Sequence, residues 1–167
     1  MKNHPLLPRF CLAIILSLSI SMECLAHGDT DETSAAGSGA AYPAASSGTR
    51  TLVQGPVWIK MLADASNLGR DDIEVGELFL PVAYGEGAAH AHGSLEIFYV
   101  IEGVLGHEVN GHLHRLEAGM LGFVKPGDNV RHSVLSDTDV RAVVIWMPGG
   151  ESQTLLDHAG FTLAPAN

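Results

Sequence analysis

Between Gly87 and Gly103 the chain reads GAAHAHGSLEIFYVIEG, which sets two histidines one residue apart and a glutamate four residues further on. Imidazole nitrogens are borderline donors and a carboxylate adds an anionic oxygen. His90, His92 and Glu96 therefore suit one divalent transition ion (Fe, Mn, Ni, Zn or Cu) better than Ca or Mg, which prefer oxygen ligands alone. On a β-strand alternate side chains share a face, so His90 and His92 point the same way, and Glu96 joins them if no bulge intervenes. The adjacent positions on this strand, Ala91, Gly93 and Leu95, offer no further donor. A fourth donor has to come from another strand, and His132, in RHSVL just after KPGDN, is the best placed. The plainer alternative is that these histidines line a wet strand and bind nothing.

The elements that would position these residues are strands. From Thr51 onward short runs of Val, Ile, Leu, Phe and Trp recur about every ten residues, broken by Gly, Pro, Asn and Asp. VWIKML, IEVGELFLPV, EIFYVI, LGHEV, HLHRL, MLGFV, RHSVL and RAVVIWM all read as strands. With no helical pattern between them, they indicate an all-β sandwich or barrel. Asn110-Gly111 suits a type I′ hairpin that pairs Val109 with His112 and His107 with His114. The tail GESQTLLDHAGF is expected to form one short helix ending near Gly160.

At this point the chain resembles the cupin superfamily. HAHGSLEIFYVIEG, from His90 to Gly103, is similar to the first cupin motif: His-x-His, three or four residues, Glu, six residues, Gly. Gly85 stands five positions before His90, where the family usually has six. GMLGFVKPGDNVRHSVLS, from Gly119 to Ser136, is similar to the second motif more loosely. Aligning Gly127 with the family glycine puts Lys125 where proline is usual, leaves four residues rather than two before His132, and sets Ser136 at the usual asparagine. The resemblance covers roughly residues 51 to 150.

What the resemblance implies is an all-β, single-domain antiparallel barrel, the double-stranded β-helix of jelly-roll type. It further implies one divalent metal on His90, His92, Glu96 and His132, with two positions open to water, oxygen or a chelating substrate. In flavonol-oxidising cupins the residue matching Glu96 serves as base, which makes Glu96 the candidate catalytic residue. Cupin lyases that cleave dimethylsulfoniopropionate carry a tyrosine two residues after that glutamate. This chain has Phe98 there, which argues against the lyase reading. The functional expectation is a metal-dependent, dioxygenase-like oxidoreductase acting on a small molecule. The alternative is a non-catalytic cupin that binds or senses a small ligand or metal, since one fold hosts both. Single-domain cupins often pair, so a homodimer is expected.

Residues 1–26 read as a secretory signal peptide: Lys2 and Arg9 precede the apolar run CLAIILSLSISM, and small residues close at Ala26. The run falls short of the ~20 residues a membrane span needs, so no stable anchor is expected after cleavage. Cys24 follows Ser-Met-Glu, which does not suit lipid attachment. The expected product is periplasmic or secreted and contains no cysteine, because Cys11 and Cys24 leave with the leader. Without Lys2, Arg9 and Glu23, seven basic residues face eighteen acidic ones, a formal charge of −11. That balance argues against nucleic acid or an anionic membrane as partner and leaves a small molecule. Residues 27–50, rich in Gly, Ala and Ser, read as a disordered linker, 51–150 as the barrel and 151–167 as a tail.

Other residues have plainer readings beside the functional ones. His107, His112 and His114 fall on one face if the hairpin forms, which could make a weak second metal site, although a solvated face or the outer half of the barrel is the simpler account. Tyr99 has the wrong parity to join Glu96. Arg131 and Arg141 are candidates for holding an anion, with a surface role the plainer reading. Trp58, Trp146, Phe79 and Phe123 read as core.

Overall fold

The structure, a computed structural model, describes residues 45–91 and 93–165. The expected signal peptide, most of the expected linker and His92 lie outside the described residues. Among the described residues ten strands form two sheets: β1 Arg50–Gln54, β2 Val57–Ala63, β3 Glu74–Leu80, β4 Leu95–Glu102, β5 Val104–Val109, β6 His112–Glu117, β7 Leu121–Val124, β8 Val130–Val134, β9 Val140–Met147 and β10 Thr162–Leu163. The larger sheet runs β10-β1-β2-β3-β9-β4-β7 and the smaller β6-β5-β8, with every named pairing antiparallel. The fold is a jelly roll of two sheets, and its hydrogen bonding does not close into a single ring. Helix α1, Ala65–Leu68, follows β2, and α2, Glu151–His158, follows β9. Among the described residues no helix is long and apolar enough to cross a membrane.

Period-two alternation sends one set of side chains inward. Val57, Ile59 and Met61 of β2, Leu78 and Leu80 of β3, Phe98 and Val100 of β4, and Val140, Ala142, Val144 and Trp146 of β9 are all buried. Leu105 and Leu116 add the smaller sheet's share of one continuous core. Their outward neighbours are charged or apolar but not core. Arg141 on β9 pairs with Glu77 on β3. Trp58 and Phe79, read from sequence as core, stack on each other only half-buried, ring centroids 5.2 Å apart. Phe123 is 56% exposed, a second departure from the sequence expectation, because β7 turns Gly122 and Val124 inward instead.

Two turns set the register near the site. Asn110 and Gly111 have φ of 51° and 81°, the pair of positive values that a type I′ turn requires, and the hairpin pairs Val109 with His112 and His107 with His114. The Asn110 side chain then latches the KPGDN turn. Its Nδ2 donates to Asp128 Oδ1 at 2.8 Å and its Oδ1 accepts from Asn129 N at 3.0 Å. Strand β8 therefore starts at Val130 whatever the spacing from Gly127, and His132 points inward.

The sequence reading missed β1, β10 and α1. The short helix α1 is closed by Asp64, whose side chain accepts from Ser66 N at 2.9 Å, and by Gly69 in the left-handed conformation. At the other end, buried Glu74 accepts from Ser152 N at 2.9 Å and Ser152 Oγ at 2.6 Å, which fastens α2 to β3. Gly103 closes the tight β4–β5 connection with φ of 77°, and a Cβ there would fall 2.3 Å from the Asp139 carbonyl oxygen. Gly103→Ala combines an unfavourable φ with that clash, so urea unfolding is expected to show a loss of at least about 1 kcal/mol.

Candidate functional site

The site starts from β4 and β9. Glu96 opens the inward row of β4, and the register sets it directly opposite Trp146 of β9. Both are buried, and the indole Nε1–H donates to Glu96 Oε1 at 2.8 Å. A carboxylate taken out of water is expensive unless a donor meets it, and the tryptophan supplies one. Tyr99, of opposite parity, is 45% exposed on the outer face, as its position in the strand requires.

His90 reaches the same region by a different route from the one its spacing suggests. The strand begins only at Leu95, so His90 and Glu96 do not share a strand face. Instead His90 forms an isolated antiparallel bridge with Val130, N to O at 2.9 Å and O to N at 2.7 Å. That bridge fixes it two residues from His132, and the two imidazole centroids stand 5.9 Å apart. The His90 Nδ1–H donates to the Ala88 carbonyl at 3.2 Å. His90 is exposed at the rim, whereas His132 is buried with the edge of Phe98 against it, centroids 4.6 Å apart.

His90, Glu96 and His132 all line one cavity of about 400 Å³. Its walls are mainly apolar, with Phe98, Val144 and Leu155 among them. Helix α2 closes one side with Glu151, Thr154 and His158, residues spaced along a single helical face. Ser94 Oγ holds Glu151 at 3.2 Å and the Pro148 carbonyl at 2.9 Å. Tyr84 also lines the cavity, and burial pushes its phenol up, which keeps it neutral. No lysine or arginine lines the cavity among the described residues. Arg131 instead bridges Glu86 and Glu108, and Arg141 is held by Glu77, so neither reaches the interior.

The donor types suit a divalent transition ion: two imidazoles and a carboxylate converge on one cavity, and a further imidazole, His92, belongs to the segment that carries His90. Among the described residues, no three His, Cys, Asp or Glu side chains by themselves group closely enough to hold one.

His107 shares one side of the hairpin with His112 and His114, as the sequence suggested, and pairs across it with His114. The three differ in burial: His112 and His114 are exposed, while His107 is 2% exposed and also lies opposite His132 in the β5–β8 pairing. Gly122 makes room for it, since a Cβ there would sit 3.0 Å from His107 Cδ2. Burial pushes the His107 imidazole down, against smaller opposing effects of the Phe123 carbonyl and Glu96. The other functional groups missed from sequence are the Trp146 indole and Glu151. Strand register could have found the first, since β9 must run antiparallel beside β4.

Trp146 gives the site a test that needs no ligand. Glu96→Gln keeps an oxygen for the indole and is expected to unfold within about 1 kcal/mol of the parent. Glu96→Leu strands the buried indole N–H and is expected to lose about 1–3 kcal/mol. Thermal and urea unfolding of the two variants would distinguish this from a pocket indifferent to the bond.

The cupin-domain family model matches residues 78–148, which span the motif containing His90 and Glu96 as well as His132. Among solved structures, an RmlC-like cupin from Shewanella frigidimarina is similar at 24% identity and a TM-score of 0.51, over 60% of this chain and 84% of that one. KdgF from Halomonas sp. is similar at 19% identity and 0.52, over 60% and 86%. A predicted oxalate decarboxylase from Thermotoga maritima is similar at 21% identity and 0.50, over 55% and 80%. No curated protein matches the chain. At these identities the structures speak to fold alone, and they agree with the family match and with the jelly roll described above. Residues 78–148 thus match the cupin domain in sequence, and the described fold agrees with that match.

Proposed function

We propose that this chain is an exported cupin that holds one divalent transition ion on His90, His92, Glu96 and His132 and acts as a dioxygenase-like oxidoreductase on a small molecule. The observation that carries the reading is the convergence of His90, Glu96 and His132 on one largely apolar cavity of about 400 Å³. An ion held there would supply Lewis acidity and a place to activate a bound ligand. The protein's own contributions are separate from the ion. Phe98, Val144 and Leu155 would exclude water, Trp146 would orient the Glu96 carboxylate, and Glu96 would take a proton from a bound substrate, a reading supported by its place on the cavity wall and its bond to the indole. With two carboxylates and no lysine or arginine on the walls, the cavity favours a neutral, mainly apolar substrate with a few hydrogen-bonding groups.

One observation favours the second reading, a non-catalytic cupin that binds or senses a small ligand: the described donors do not by themselves group around an ion, and Glu96 is bonded to Trp146. Elemental analysis comes first. The purified protein is expected to carry about one equivalent of a transition metal, and His90→Ala with His132→Ala to lose it. A metal-free parent, indifferent to those substitutions, would remove the metal-centre reading. Oxygen uptake with flavonols, catechols and thiols then separates the two functions. Turnover supports the enzyme, whereas its absence together with ligand-raised thermal stability supports the binder. Export has its own test: protein recovered outside the cytoplasm is expected to begin at His27, and an intact Met1 there would sink it.

A further inference from the structure

Helix α2 brings to the cavity a second carboxylate that the proposed metal set does not use. Glu151, its first residue, is 7% exposed and lines the same cavity as Glu96. The match to the cupin domain ends at residue 148, so this wall lies outside the matched stretch. Glu151 is held in place by its neighbours. Ser152 gives its backbone N–H and its hydroxyl to Glu74, and its Oγ accepts from Arg50 Nη2 at 2.8 Å. Ser94, Glu96 and Phe98 are buried alternately in one inward row, with Ser94 about 7 Å along the chain from Glu96. Ser94 Oγ lies 3.2 Å from Glu151 Oε2 and 2.9 Å from the Pro148 carbonyl oxygen. A hydroxyl has one hydrogen, and the carbonyl is the nearer acceptor, so the carboxylate receives at most a share of it. A carboxylate has about four acceptor sites, and Ser94 is the one donor to Glu151 among the described residues. The Thr154 hydroxyl, on the same wall, turns back to the Gly150 carbonyl at 3.3 Å. A helix dipole favours an acid in the first turn, but that interaction does not call for burial. A buried carboxylate so sparsely met is costly until a donor reaches it.

We propose that Glu151 is a specificity-determining residue that accepts a hydrogen bond from a hydroxyl group of the ligand, so that the cavity selects small, mainly apolar alcohols or phenols over their ethers and over carboxylic acids. The apolar wall takes the hydrocarbon part, and Leu155, one helical turn beyond Glu151, belongs to it. A hydrogen bond to an ionised acceptor is about twice as strong as one between neutral groups, and an ether cannot make it. An anion against this wall meets a like charge with no lysine or arginine beside it among the described residues. The proposal names a substrate class for the oxidoreductase reading and rests on that reading for the chemistry, whereas the binding itself needs only the cavity.

The test is calorimetric titration of the full protein with 4-phenylbutan-1-ol, its methyl ether and 4-phenylbutyrate, first after a chelator has removed metal and then with added Zn(II). The metal-free parent is expected to bind the alcohol about 10-fold or more tightly than either the ether or the acid. Glu151→Leu is expected to bring the alcohol and the ether to equal affinity, and Glu151→Gln, which still offers an oxygen, to keep part of the preference. Equal binding of alcohol and ether by the parent would overturn the proposal, as would a preference that survives in Glu151→Leu or an alcohol that does not bind. A preference seen only with zinc would overturn it too, since the ion would then be what reads the hydroxyl. Should Glu151→Leu not fold, the carbon-13 resonance of the Glu151 carboxylate in the parent decides: it is expected to move with the alcohol and not with the ether, and the reverse would sink the idea. The metal-free preference in a protein that binds no zinc would support the role of Glu151 and overturn the metal-centre reading instead.

Discussion

The pairing of β9 with both β3 and β4 is the interaction on which the rest of the molecule depends. It joins β1–β3 to the β4–β7 part of the larger sheet and supplies Val140, Ala142, Val144 and Trp146 to the core in one inward row. The same pairing sets Trp146 opposite Glu96 and so makes a buried carboxylate tolerable. It also brings the start of α2 beside β3, where Ser152 meets Glu74. Apolar burial, polar satisfaction and closure of the cavity are thus consequences of one antiparallel register.

The interior is unusual in how it divides its polar groups. Each inward polar side chain described has a named partner suited to its chemistry: indole for Glu96, hydroxyl and amide for Glu74, a carbonyl and an imidazole for His107. Arg131 and Arg141 are kept out of the cavity and paired with Glu86, Glu108 and Glu77. The result is a site whose walls are apolar and whose few polar groups arrive already oriented, the condition under which a positioned base or donor works best.

Much of this was legible in the sequence. Alternating Val, Ile and Leu gave eight strands, Asn110-Gly111 gave the hairpin with its register, and two motifs pointed to the family. The misreadings share one physical cause: parity tells which residues share a face, but not where along a strand that face leaves the interior. Leu105, His107, Val109 and, across the hairpin, His112 share a side, yet the first two are buried and the last is in solvent. The same limit put Phe123 inside. His90 shows a second limit, because its place is set by a bridge to Val130, forty residues away, and not by the strand that follows it. The altered spacing before His132 did not matter, since Asn110 latches the turn and absorbs the difference.

That bridge has a kinetic meaning. Two backbone hydrogen bonds join His90 to Val130, and the chain between them must already have built β4 to β7 before they can form. Loop entropy therefore places this contact late in folding. Gly87 N–H to the His132 carbonyl and Val134 N–H to the Gly85 carbonyl, each 2.9 Å, pin the same segment to β8, so it opens only when these bridges break together. One wall of the cavity is thus a continuous strand ladder and the other a segment bridged to β8, so a bound ligand that spans both would be read out as slowed exchange on the bridged side.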